Sequence, residues 1–243
     1  VIVFSMAQTM QAVMLPAFSK TQSDKEMARK MLRRAIKLSS FVMFPMMFGI
    51  MATAEPIVRI LLGEQWMPAV PLLRLCCLSY SVWHLHVANL QDINANGRSD
   101  IYLKLEIIKK LVGTAVLVLS VRMGITGMIL MKALVDYLTT FINGYPNKDI
   151  IGYGPAAQWN DILPEFCLAA AMAVVVYLLQ VLFGVFGIID MGSTGGAVIG
   201  LAIAVAAGVV IYLAAAIFFR AESLRYLIET VKLYTGKKEA DKA

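Results

Sequence analysis

Charge is scarce in this chain. Only 16% of its 243 residues are Asp, Glu, Lys or Arg, and 59% are hydrophobic. A soluble domain carries about 25% charged and roughly 45–50% apolar residues, so the composition, with a mean hydropathy of +0.72, points toward a membrane. Cysteine is also rare. Cys76 and Cys77 are adjacent and Cys167 sits in an apolar run, which excludes a disulfide framework and reads as three small buried hydrophobes. The two histidines, His84 and His86, lie two apart and face roughly opposite ways on a helix. They cannot form the i, i+4 pair of a zinc helix and read as packing residues. Phosphate-cradling, nucleophile-elbow and C-x-x-C motifs are missing. A secreted scaffold, a disordered tail and a soluble enzyme are therefore poor fits, and neither a cofactor nor a metal is expected.

What the chain has in quantity is long apolar runs. A membrane helix needs about 20 mostly apolar residues. Seven stretches meet or approach this: 1–18, 38–56, 70–94, 105–121, 125–144, 164–186 and 196–219. The fold class expected is an all-α polytopic membrane helix bundle of about seven spans. The chain begins inside an apolar segment without a basic n-region, so it reads as a fragment lacking its N-terminal part and not as a signal peptide.

The formal net charge of +6 resembles a nucleic-acid signal only if position is ignored. Seven basic residues fall in 19–37, four in 95–110, one in 145–163 and six in the tail, against Arg59, Arg74 and Arg122 on the alternate side. This alternation puts the heavy side, and the C-terminus, in the cytoplasm by the positive-inside rule. No nucleic-acid partner is expected. The segment 23–38 opens with a Ser23/Glu26 capping box and carries Met27, Met31, Ala35 and Leu38 on one face. It reads as a basic amphipathic helix on the inner leaflet. The tail, with Leu224, Leu227, Ile228, Val231 and Tyr234 on one face before Gly236, reads the same way.

Ionisable residues inside spans are costly and usually face a bundle interior. Lys132 and Asp136 lie mid-span at i, i+4 and can pair. Thr139, Thr140 and Asn143 extend their face. This stripe either lines a polar lumen or ties two helices together. In 70–94, Arg74, Cys77, Ser81, Ala88 and Asp92 share a side, and Asn89, Gln91, Asn94 and Asn96 make the cytoplasmic half polar. Arg74 either faces a cavity, where a guanidinium suits phosphate oxygens, or snorkels to the outer interface. Glu106 and Lys110 can pair, leaving Lys109 to face the entrance. Ser5, Gln8 and Thr9 form a short polar face in the first span. Pro45 predicts a kink. The repeat Gly196, Gly200, Ala204, Gly208 lets another helix approach closely, the preceding span being the expected partner.

A family resemblance rests on the runs Leu15-Pro16-Ala17-Phe18-Ser19-Lys20, Ala54-Glu55-Pro56-Ile57-Val58-Arg59-Ile60-Leu61-Leu62-Gly63-Glu64-Gln65-Trp66, Pro71-Leu72-Leu73-Arg74 and Asn96-Gly97-Arg98-Ser99-Asp100, continuing through Leu103-Lys104-Leu105-Glu106-Ile107-Ile108-Lys109-Lys110. Over most of residues 10–150 the chain resembles the bacterial polysaccharide (O-antigen type) flippases of the multidrug/oligosaccharidyl-lipid/polysaccharide exporter superfamily. The resemblance implies a fourteen-helix protein, of which 1–150 would be a partial C-terminal lobe with five helices. Residues 151–219 would be two additional membrane helices, and 220–243 a cytoplasmic basic tail. It implies flipping of polyprenyl-pyrophosphate-linked oligosaccharides across the bacterial inner membrane. The implied partners are that lipid-linked substrate, membrane lipids, the missing N-terminal half, and a polysaccharide polymerase with glycosyltransferases. Carried onto this sequence, Arg74 and Lys132 would meet headgroup charge, and Asn89, Gln91 and Asn94 sugar hydroxyls. Asp136 would couple an ion, and Glu106, Lys109 and Lys110 would supply entrance charge. Three rivals remain open: a drug/cation antiporter of the same superfamily, a membrane-embedded glycosyl- or acyltransferase using Asp149, Asp161 and Glu165, and a non-transporting membrane scaffold, for which a stripe of buried charge is unnecessary.

Overall fold

In a computed structural model, the structure describes residues 14, 15, 18, 19, 24–187, 189 and 192–228. The expected first span and its Ser5, Gln8 and Thr9 face lie outside the described residues, as do Ser23 and the tail beyond 228.

Helix α1 runs Lys25–Ala52. Asp24 caps it: its Oδ1 accepts from the backbone N–H of Glu26 at 2.9 Å and of Met27 at 3.1 Å. At 1.5 Å per residue its 28 residues span about 42 Å, continuing through Pro45. The basic segment is therefore not a separate surface helix but the first turns of a spanning one. Its buried face is Ala28, Leu32 and Ile36, while Met27 is exposed. The physical reason is that no breaker separates the two segments and the basic side chains find protein partners.

Helix α2 is Ala54–Leu61. A turn at Gly63 (φ 89°) and a 3-10 stretch Glu64–Ala69 lead to α3, Val70–Ser81, and α4, Trp83–Ala95. The expected span 70–94 is thus two short helices that meet at Val82 (φ −96°, ψ 2°). Helices α5, Ser99–Ser120, and α6, Gly124–Ile151, form a hairpin. The chain reverses at 121–124, where Gly124 takes φ 70°, a conformation that suits glycine. Leu105 is buried with Leu90 and Ile93, and Ile101, Tyr102, Ile142 and Ile150 pack against this cluster. Helix α7, Pro155–Val185, starts with proline at N1. Helix α8 is Thr194–Phe218, its first turn held by Ser193 Oγ accepting from Gly196 N at 3.1 Å. A further helical turn covers 222–228. All the regular structure among the described residues is helical.

Among the described residues, four stretches are long and apolar enough to cross a membrane: Lys25–Ala52, Ser99–Ile151, Pro155–Val185 and Thr194–Phe218. The second is the α5/α6 hairpin, so it supplies two helices. The chain is a multi-pass membrane protein.

The core lies between α1 and α7. Phe166 sets its ring edge-on to Phe44 at 5.3 Å and Phe48 at 5.2 Å, the arrangement aromatic quadrupoles prefer. Helix α8 lies on α7 through Gly200, Ala204 and Gly208, all buried. A Cβ at Gly208 would come within 3.3 Å of Val176 Cγ2, which accounts for the small-residue stripe. Its partner is the preceding span, as the spacing predicts. Only Cys77 is buried; Cys76 is half-buried and Cys167 exposed. The outer faces of α5 to α8 are apolar, with Leu111, Leu119, Val185 and Val210 exposed, so burial from water at these helices falls to the membrane.

Candidate functional site

The polar interior is built where α3 and α4 run alongside α6. These helices are parallel: Ser79 meets Asp136, His86 meets Asn143 and Asn89 meets Asn147. The pairs recur at helical spacing on both strands of the contact. Lys132 Nζ lies 2.5 Å from Asp136 Oδ2 and donates to Ser79 Oγ at 3.0 Å, and Ser79 Oγ donates in turn to Asp136. The ammonium also sits 5.5 Å from the centroid of Tyr80. It is half exposed, whereas Asp136 is mostly covered. The i, i+4 pair read from the sequence is present.

Beside this pair opens a cavity of about 290 Å³. Its polar wall holds His86, Gln91, Glu106, Lys109, Asp136 and Thr139, and Trp83 and Tyr102 supply aromatic faces. Glu106 pairs with Lys109 and not with Lys110, which is exposed. One residue further along a helix is a rotation of about 100°, which carries Lys110 away from α6 while Lys109 shares the cavity wall with Asp136.

Arg74 is elsewhere. Its guanidinium lies 5.4 Å from the centroid of Tyr177 on α7, and it lines a second cavity of about 250 Å³ with Glu55, Arg59, Tyr177 and Gln180. Arg59 is held by Glu64 at 2.7 Å and by Glu55 at 3.8 Å. Lys132 touches the first cavity only through Asp136 and lines neither one, so the two expected headgroup cations are not brought together.

Asn89 is fully buried and lies in a knot of amides. Its Nδ2 donates to Gln158 Oε1 at 2.9 Å, and its Oδ1 accepts from Gln158 Nε2 at 2.8 Å and Asn147 Nδ2 at 2.7 Å. Helices α4, α6 and α7 are joined there. Its amide is fully used inside the protein, unlike the cavity-facing role expected for it. Asn94 is half-buried and lines neither cavity; Gln91 does face the first one. The histidines diverge as expected: His84 Nε2 bonds Ser40 Oγ of α1 at 2.7 Å, and His86 Nδ1 bonds Asn143 Nδ2 at 2.8 Å.

A third cluster closes the basic end. Arg33 forks onto Asp161, with Nε to Oδ2 and Nη2 to Oδ1 both 2.8 Å, and reaches Glu222 at 3.0 Å. Lys37 Nζ donates to Glu222 at 2.6 Å, and Tyr153 Oη to Asp161 at 2.8 Å. Glu165 is buried and accepts from Ser223. Two of the three carboxylates suited to a transferase are thus used in fixing α7 and the turn 222–228 to α1. The hydrogen bonds from Lys37, then Tyr226, hold the Glu222 carboxyl down at about 2, against an ordinary 4.5. A depressed carboxylate contributes stability above its unfolded value that is lost as pH falls through the folded one. The protection of the 222–228 amides, their exchange rate measured against the intrinsic rate at each pH, is accordingly expected to be constant from pH 8 to about 5 and to fall between about 4.5 and 2. Protection factors by mass spectrometry that stay flat across that window contradict the assignment.

Residues 1–71 match the family described as polysaccharide biosynthesis protein. The chain is 25% identical over 171 residues to the lipopolysaccharide biosynthesis protein WzxC of Escherichia coli (strain K12), covering 70% of this chain and 35% of that protein. It is 26% identical over 205 residues to the teichuronic acid biosynthesis protein TuaB of Bacillus subtilis (strain 168), covering 83% and 40%. It is 36% identical over 70 residues to the succinoglycan biosynthesis transport protein ExoT of Rhizobium meliloti (strain 1021), covering 29% and 14%. The chain thus spans well under half the length of these relatives. No solved structure matches it. In helices, matched segment and relatives alike, the chain is similar to bacterial polysaccharide biosynthesis and transport proteins.

Proposed function

We propose that this chain is part of a transporter that flips polyprenyl-pyrophosphate-linked oligosaccharide units across the bacterial inner membrane for polysaccharide export. The observation that carries this reading is the charged and aromatic cavity between α4, α5 and α6, set among helices that are otherwise apolar. Moving a pyrophosphate through hydrocarbon unaided costs far more than thermal energy supplies. A cavity with fixed cations and hydrogen-bonding groups lowers that cost without covalent chemistry. Lys109 in the wall, with Lys132 behind it on Asp136, suits the phosphate oxygens. Gln91 and Thr139 suit sugar hydroxyls, and Trp83 and Tyr102 suit the apolar faces of sugar rings. Arg74 offers a second station for the phosphate toward the end of the bundle opposite Arg33. An apolar cleft of about 570 Å³ between α1, α7 and α8 suits the polyprenyl chain. The basic end is assigned to the cytoplasm, and the rest of the transporter, with the polymerase and glycosyltransferases, as partners.

The test is reconstitution of the full-length protein in liposomes containing lipid-linked oligosaccharide, with an impermeant glycosidase reporting arrival on the far side. Protein-dependent arrival is expected, with no uptake of a cationic dye. Dye uptake without oligosaccharide movement would instead establish the drug/cation antiporter.

A further inference from the structure

Most charges set inside the bundle find opposite charges nearby: Lys132 with Asp136, Lys109 with Glu106, Arg33 with Asp161 and Glu222, Lys37 with Glu222; buried Glu165 has no counter-charge among the described residues but accepts from Ser223 on one oxygen. Asp92 does not share this pattern. Its side chain is 0% exposed, and neither carboxylate oxygen has a hydrogen-bond partner among the described residues. Helix α4, which carries it, packs against α1, α5 and α6. The titratable groups on those helices are placed elsewhere. On α1, Lys25, Arg29 and Lys30 are exposed, Arg34 stacks over Tyr226, and Arg33 and Lys37 hold Asp161 and Glu222. On α5, Arg98 pairs with the exposed Asp100 at its N-terminus, Lys104 and Lys110 are exposed, and Lys109 holds Glu106. On α6, Lys148 and Asp149 are exposed and Lys132 holds Asp136. An ionised carboxylate kept from water with neither donor nor counter-charge is among the costliest groups a protein interior can hold, whereas the protonated acid carries no charge.

Two further observations bear on the same place. The α4–α6 interface holds two more buried acceptors without donors, Asn143 Oδ1 and Asn147 Oδ1, so that interface is short of hydrogens. Asn96, one turn beyond Asp92, donates from Nδ2 to the Asp92 carbonyl at 2.8 Å. Asn96 also lines an open cavity of about 560 Å³ at the basic end, with Lys25, Arg98 and Asp149. A route from water thus ends one helical turn from the carboxyl.

We propose that Asp92 is a proton-binding site: its carboxylate takes up one proton to become the neutral acid in this arrangement and returns that proton to water when the half of α4 nearer Asn96 is opened. Asp136, the carboxylate expected to couple an ion, has its charge met by Lys132 and a hydrogen bond from Ser79, whereas Asp92 has neither. Only the task that the proton drives rests on the export reading; the binding of the proton does not.

The experiment is infrared difference spectroscopy on the full-length protein in liposomes, stepped in pH, together with polymer export in cells. Wild type is expected to show a protonated-carboxyl band at neutral pH that disappears on alkalinisation. The band should shift in Asp92→Glu and vanish in Asp92→Asn. Asp92→Asn, a neutral mimic, is expected to keep its thermal midpoint and to lose at least tenfold in proton-gradient-driven export. A band unchanged in Asp92→Asn, or its absence from wild type at neutral pH, overturns the proposal. So does Asp92→Asn export with the wild-type sensitivity to a protonophore. Should Asp92→Asn fail to accumulate, the shift or constancy of the band in Asp92→Glu decides. A band that behaves as expected in a protein that moves no oligosaccharide sinks the export reading alone.

Discussion

Lys132→Ala in the full-length protein is expected to reduce polymer export at least tenfold while the protein still reaches the membrane. Lys132 holds Asp136, which lines the cavity, and half of its own side chain is exposed. Hydrogen bonds to charged groups are worth about 1.5–3 kcal/mol, and 1.4 kcal/mol is tenfold. A purely structural ion pair predicts a different pattern. Removing one partner would strand a charge, and removing both in Lys132→Ala/Asp136→Ala would restore function. A binding role predicts that the double variant recovers its thermal midpoint and not its export. Quantified surface polymer in the two strains separates these outcomes, and wild-type export from the double variant removes Lys132 from the site.

Asn89→Leu is expected to act on the fold. It removes three side-chain hydrogen bonds to Gln158 and Asn147 and leaves both partner amides buried. Unsatisfied buried groups cost about 1–3 kcal/mol each. Measured bonds between membrane helices average about 0.6 kcal/mol, so three set a floor of about 2 kcal/mol. A clear fall in the thermal midpoint of the detergent-solubilised protein is the expected result. An unchanged midpoint with lost export would return Asn89 to the cavity. Asn89→Asp is a weaker control, because it keeps the acceptor and loses the donor.

Much of this architecture is legible in the sequence, for identifiable reasons. The apolar runs at 164–186 and 196–219 became α7 and α8 because length and composition alone decide a membrane helix. The Lys132–Asp136 stripe was visible at i, i+4, and Asn147 extends it by one more turn beyond Asn143. The stripe itself was the signal that finds this residue. Gln158 carries no such signal, since it meets Asn89 across 69 positions of chain. The basic block at 25–37 reads as a surface helix until Asp161 and Glu222 are placed beside it, and these pairings are long-range too. Asn89 reads as a cavity residue because a polar side chain in a span has two uses, lumen or knot. Only the neighbouring helices distinguish them.

The discontinuity at Val82 divides the third crossing into two pieces with separate attachments. The piece nearer Gly63 carries Arg74 and Ser79, and through Ser79 it touches the Lys132 ammonium. The piece nearer Arg98 is clamped by the Asn89 amides and by His84 against Ser40. Backbone bending concentrates where a regular ladder is interrupted. Any bending at this joint would therefore carry Arg74 and Ser79, with its contact to the Lys132 ammonium, as one body relative to the Asn89 piece.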